Sequence, residues 1–364
     1  MHIIRQFTPN WFTVTMGTGI FSLLLGQTPG PAWLALAGAA LWQANIALFA
    51  LFTLLYTARW ALYPREAARI FTHPVMPMFL GAIPMGLATI INGTILYAHN
   101  AETALLLWYV DAAMSVVVGL AVPFAMVIRQ AHKLEQMTAV WLLPIVAAEV
   151  AAASGAQIAP HLAGPVALNV LLGGYVLWAL SVPLALSVLV ILFLRLVLHK
   201  LPHQDMAVSG WLAVGPLGTG ALALLLLGHD APAILAPMGM ADAGVAAHGL
   251  GLTGGLMLWA YGAWWLIMAV GMTLTYLPRR LPFNMGWWGF TFPLGVFTAS
   301  TFALGAQTGL GIFTWLAVAQ TAVLGVLWLM VSLRTLHGAL SGKLFHAPCI
   351  AHQPEAPHKL AHVQ

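Results

Sequence analysis

The chain has 364 residues, of which 61% are hydrophobic and only 6% charged, with a formal charge of +4 and a single cysteine. A soluble domain carries about 25% charged residues, so water cannot be the solvent for most of this surface; lipid is. The Lys and Arg stand singly between long apolar runs, which excludes a nucleic-acid interface. One thiol excludes an intrachain disulfide and a thiolate metal cage.

A helix needs roughly 20 apolar residues to cross a bilayer. Ten such runs follow one another, at about residues 9–26, 32–58, 77–98, 103–129, 138–158, 165–198, 207–228, 245–276, 286–305 and 311–336. The first contains Asn10, Thr13, Thr15, Thr18 and Ser22. It is too polar for a signal-peptide core and reads as a retained first span. Residues 1–340 are expected to form one ten-helix transmembrane domain, and residues 341–364, polar and bearing proline, a disordered cytoplasmic tail.

The charges test that count. Arg5 precedes the first span; Arg59, Arg65 and Arg69 follow the second; Arg129 and Lys133 the fourth; Arg195 and Lys200 the sixth; Arg279 and Arg280 the eighth; Arg334, Lys343 and Lys359 the tenth. The connections after the odd spans have none and carry only Glu102, Asp230 and Asp242. A wrong count would scramble this alternation. Cytoplasmic loops are the basic ones, so both termini are expected in the cytoplasm of a cell whose inner (plasma) membrane holds the protein.

The odd spans share a helix breaker, expected about two turns in: Pro84 with Gly86, Pro144, Pro216 with Gly218, and Pro293 with Gly295. The first span has Thr15, Gly17 and Gly19 in the same pattern, with Thr in place of Pro. Proline removes a backbone donor inside a helix, which a membrane tolerates where the freed groups face protein or a water-filled cavity. Matched breakers on helices that all run one way suggest five helical hairpins, odd helices lining a central pore and even helices outside. The bland alternative is that Pro and Gly are simply frequent in membrane helices.

Asp111 and Glu149 are the ionisable residues deep in these spans. A carboxylate there costs about 2.5–3.5 kcal/mol on insertion scales. Glu149, on an inner helix, reads either as a proton-coupling group on the pathway or as a protonated acid bonded between helices. Asp111, on an outer helix, reads as a structural buried acid. No Lys or Arg lies at their depth, so anions would be drawn by backbone amides and helix ends. No metal site, cofactor site or paired nucleophile and base is apparent. His337, His346, His352, His358 and His362 read as a solvated tail, and Trp108, Trp141, Trp211, Trp287 and Trp288 as interfacial anchors. A rival class is an intramembrane enzyme or sensor.

Phe7-Thr8-Pro9-Asn10-Trp11-Phe12 running into Thr15-Met16-Gly17-Thr18-Gly19, together with Phe283-Asn284-Met285-Gly286-Trp287-Trp288-Gly289-Phe290-Thr291-Phe292-Pro293-Leu294-Gly295, resembles the tellurite-resistance/dicarboxylate transporter family. That family includes plant slow anion channels, yeast malate permeases and fungal sulfite efflux pumps. The resemblance implies ten helices, a pore of odd helices with five-fold quasi-symmetry, a homotrimer, transport of small anions such as malate, sulfite or an inorganic anion, and a pore-plugging phenylalanine on the ninth span. The residues just before the breakers are Val14, Ile83, Leu143, Gly215 and Phe292. Phe292 is the one ring among them and the expected gate, with Phe290 on another face.

Overall fold

The computed structural model describes residues 2–278 and 281–351. Arg279, Arg280, Lys359 and the stretch 352–364 lie outside them. The described chain is all-helical. Its ten longest helices are α1 (Phe12–Gln27), α2 (Trp33–Leu62), α3 (Ala82–Leu96), α4 (Ala101–Arg129), α5 (Leu143–Ile158), α6 (Gly164–His199), α7 (Val214–Leu235), α8 (Ala241–Tyr276), α9 (Thr291–Thr308) and α10 (Gly311–Leu340). Nine helical segments among the described residues are long and apolar enough to cross a membrane. α1 has 16 residues and is extended by the 3₁₀ turn Pro9–Trp11.

Burial sorts the helices by parity. The apolar stretches of α3, α5, α7 and α9 are 67–94% buried, those of the even helices 11–33%, and α1 is buried without a break from Phe12 to Ile20. The buried helices touch in a closed cycle, α1 to α3 to α5 to α7 to α9 and back to α1. Each even helix lies outside, against its own inner helix and the next one round. The outer faces carry Leu106, Val117, Leu120 and Phe124 on α4, and Ile312, Val326 and Leu333 on α10. In lipid an apolar outer face costs nothing, and polar side chains collect inside.

Small residues let the inner helices approach. A Cβ on Gly17 would meet Trp288 and Thr291, and one on Gly19 would meet Thr89 and Asn45. A Cβ on Gly86 would meet Thr15, and one on Gly295 would meet Ile20. A Cβ on Gly218 would stand 2.7 Å from the Phe297 backbone nitrogen. These glycines are the small positions by which membrane helices pack.

The breakers sit elsewhere than the sequence suggests. Each inner helix begins with a 3₁₀ stretch: Pro9–Trp11, Met76–Gly81, Ala139–Leu142, Gln204–Ala213 and Met285–Phe290. Pro84, Pro216 and Pro293 are the third residues of α3, α7 and α9, and Pro144 the second of α5. They are therefore first-turn prolines and not mid-helix breaks. A first-turn N–H has no intrahelical partner, so proline loses nothing there and its fixed φ suits the helix start. Thr15 lies in the first turn of α1, its hydroxyl donating to the Phe12 carbonyl at 2.8 Å.

A second repeat ties outer helices to inner ones. Leu-Trp occurs once within each even helix, at Trp42, Trp108, Trp178, Trp259 and Trp328. Each indole N–H donates to the inner helix that follows. Trp42 reaches the Ile90 carbonyl (3.2 Å), Trp108 the Ala151 carbonyl (2.7 Å) and Trp178 the Gly220 carbonyl (2.9 Å). Trp259 reaches the Thr301 hydroxyl (2.8 Å), and Trp328, closing the circle, the Thr18 hydroxyl (3.1 Å). Trp108 is thus an interhelical donor, 4% exposed, and not an interfacial anchor.

The chain after α10 does not start a disordered tail at 341. Its apolar residues supply the reason: Phe345 stacks on Trp11 with centroids 4.9 Å apart, and Cys349 clusters with Ile70 and Met76. The Ala347 N–H donates to Gln6 Oε1 at 2.7 Å, and buried Arg59 donates to the Phe7 carbonyl (2.7 Å) and the Cys349 thiol (3.4 Å). This strap makes Cys349 a reporter. At 1% exposure it should alkylate slowly in the intact protein and severalfold faster in Phe345→Ala, as followed by mass spectrometry. Equal rates would mean that the strap does not hold.

Candidate functional site

Two cavities lie along the axis of the helical ring. One, of about 220 Å³, is at the amino-terminal ends of the inner helices and is lined by Asn10, Met16, Phe79, Leu143, Met285 and Phe292 among others. The other, of about 610 Å³, opens at their carboxyl ends, its wall including Ile20, Thr89, Asn92, Val150, Thr219 and Val296. Phe292 is the only described residue that lines both. Between them remains a pocket of about 20 Å³ bounded by Met16, Met85, Val146, Gly215, Phe292 and their neighbours. Its wall is apolar, and an anion entering it would leave its hydration shell without replacement.

The ring of Phe292 is 3% exposed and projects from the first turn of α9 into this constriction. Phe290 does not. It packs edge-on against Trp211 (5.0 Å) and Trp287 (5.9 Å). Leu143 and Gly215 line the constriction as expected, but Val14 and Ile83 do not, and Met16 and Met85 take their places. Two residues along a helix is a rotation of about 200°, so the expected register was turned away from the axis on α1 and α3.

Of the breaker residues, Pro293 lines the constriction. Thr15, Gly17, Gly19, Pro84, Gly86, Pro144, Pro216, Gly218 and Gly295 line none of these three spaces; the glycines among them serve helix contact instead. Glu149 lines none of the three spaces either. Val146, Val150, Ala153 and Gln157 form the lumen face of α5, and Glu149 points to α6, where the Ser181 hydroxyl donates to its Oε2 at 3.1 Å. The adjoining position on a helix is rotated by about 100°, which sequence depth alone does not reveal. Glu149→Gln is therefore expected to leave the pH response of transport unchanged in a flux assay, and loss of that response would return Glu149 to the pathway. Asp111 is fully buried on α4, with no partner for either oxygen among the described residues. It stands three residues after Trp108, as Asn45 does after Trp42 and Ser181 after Trp178. Those two bond across helices, Asn45 to Thr89 at 3.2 Å.

No Lys, Arg or His lines either cavity among the described residues, and Asp205 is the one acid. Buried Arg195 is spent on the Glu135 and Lys200 carbonyls. Arg5 clasps Glu66 with two bonds of 2.7 and 2.8 Å, which hold that carboxyl below its ordinary range. The walls of the two cavities are thus mostly apolar, with Asp205 the one charged side chain on them among the described residues. That suits passage of an ion better than retention of one.

The family model described as SLAC1, voltage-dependent anion channel, matches residues 6–336. The chain belongs to that family. A sulfite efflux pump of Arthroderma otae is 38% identical, the match covering 94% of this chain and 93% of that protein. An uncharacterized transporter of Methanocaldococcus jannaschii is 29% identical over 94% of this chain and 97% of its own. A malic acid transport protein of Schizosaccharomyces pombe is 24% identical over 90% and 77%. This SLAC1-family chain is a multi-pass membrane protein that transports anions.

Proposed function

We propose that this chain passes sulfite, or a C4-dicarboxylate such as malate, through the axis of its helical ring, and that Phe292 is the gate. The observation that carries the reading is the position of Phe292, shared by two cavities that no other described residue joins. The names of the relatives favour sulfite first and malate second. In this reading α1 is the tenth crossing, five hairpins repeat around a quasi-five-fold axis, and three chains assemble with one pathway each. Both termini face the cytoplasm of the cell inner membrane, since the basic residues sit at the ends where even helices finish.

Flux of sulfite, malate and chloride into proteoliposomes tests the function. Sulfite or malate uptake well above that of empty liposomes is expected. Uptake of none of the three would remove the reading.

A further inference from the structure

Resting on that function, we propose that Thr219 and Asn92 are the specificity-determining residues of the 610 Å³ cavity. They would select a small, singly charged oxyanion that still carries a proton over a halide.

Threonines of the inner helices normally spend their hydroxyls on a carbonyl one turn back. Thr15, Thr89, Thr94, Thr298 and Thr301 do so at 2.7–2.9 Å. Thr219 is different: it is 1% exposed, lines the cavity, and its hydroxyl has no protein partner. Asn92 lines the same cavity at 9% exposure, and its Oδ1 likewise has none. A buried polar group without a partner costs roughly 1–3 kcal/mol, so each awaits something the protein does not supply.

The two form successive rungs. Thr219 lies three residues beyond Pro216 and Asn92 eight beyond Pro84. At 1.5 Å per residue they are separated by about 7.5 Å along the axis. Thr219, on α7, is level with Val296, one turn outward of Phe292 on α9. Asn92 projects from α3, which does not adjoin α7 in the ring. An anion that has passed Phe292 meets the Thr219 hydroxyl first and the Asn92 amide next.

The chemistry of these groups defines the ligand. A hydroxyl donates to any anion. An amide, whichever way round it lies, offers N–H donors at one atom and a carbonyl acceptor at the other. A halide satisfies the donor and leaves the carbonyl oxygen facing a negative charge. An oxyanion with an acidic O–H, such as hydrogensulfite or a half-ionised dicarboxylate, accepts from the amide and donates to it. A dianion has no such proton, and its desolvation penalty grows with the square of its charge in a cavity without a cation. No Asp, Glu, His, Lys or Arg lines this cavity among the described residues. Of the ionisable groups on the elements around it, Glu149 faces α6, while His229 and Asp230 lie at the far end of α7, ten residues or more beyond Thr219.

The test is a selectivity ratio. Hydrogensulfite and chloride fluxes are measured in proteoliposomes for the wild type, Asn92→Leu and Thr219→Val, each also in a Phe292→Ala background so that the gate does not limit the rate. Asn92→Leu should lower the hydrogensulfite-to-chloride ratio by about tenfold, the worth of one strong hydrogen bond. Thr219→Val should lower it severalfold. Asn92→Ser, smaller and still polar, serves if Asn92→Leu does not fold, with an intermediate loss expected. Unchanged ratios in the folded variants, or a wild type that prefers chloride, would overturn the assignment. A wild type that passes no anion would instead bring down the transport reading beneath it.

Discussion

Phe292→Ala should raise anion flux severalfold at unchanged expression. The ring fills the space between two preformed cavities, and the residual pocket beside it measures only about 20 Å³. Cutting the ring back to a methyl group joins that pocket to both cavities and removes the desolvation barrier at their junction. The other constriction residues cannot replace the plug in place: Gly215 has no side chain, and Met16, Met85 and Val146 already pack at the wall. Were Phe292 ordinary core, its truncation would cost about 3–5 kcal/mol of stability with no gain of current. Phe290→Ala is the control. Its ring sits between Trp211 and Trp287, so it should show that stability loss and little change in flux. Planar-bilayer recordings with thermal melts of both variants separate the outcomes.

A large structural effect is expected at Gly218. A Cβ there would meet the Phe297 backbone nitrogen at 2.7 Å and its Cα at 2.8 Å. Backbone cannot swing aside as a side chain can, so Gly218→Ala must push α7 from α9 and open the ring. Overpacking of this kind costs about 1–3 kcal/mol or more. Loss of the folded form in size-exclusion chromatography and a lowered melting temperature are expected. Gly215, three residues earlier, has open space where its Cβ would be. Gly215→Ala should fold normally and reduce flux, because the methyl group enters the constriction. Equal stability of the two variants would contradict the packing described.

Much of this architecture is legible in the sequence. Apolar length marks the spans, the alternation of Arg and Lys supports their count, and the matched prolines set the odd helices apart from the even ones. The site is legible only in part. Phe292 stands out because it is the one aromatic beside a matched proline. Its neighbours do not, because helical phase depends on how each inner helix is entered. The 3₁₀ stretches contain three, six, four, ten and six residues. Each 3₁₀ residue turns the chain about 120° against 100° in an α-helix. Counting from a proline therefore cannot say which face meets the axis, and so Met16 and Met85 were hidden behind Val14 and Ile83. The two readings of Glu149, on the pathway or bonded between helices, stayed open for the same reason. The five Leu-Trp pairs, one in each even helix, were a signal of repetition in plain view.

The central claim, one axial pathway closed at Phe292, is tested most directly by sidedness of access. Val296 lines the 610 Å³ cavity one turn beyond Phe292. In a Cys349→Ser chain carrying Val296→Cys, a charged, membrane-impermeant thiol reagent should react from the carboxyl-end side only. Adding Phe292→Ala should make the position reactive from both sides. Reaction from both sides with Phe292 intact, or from one side only after its removal, would contradict the account.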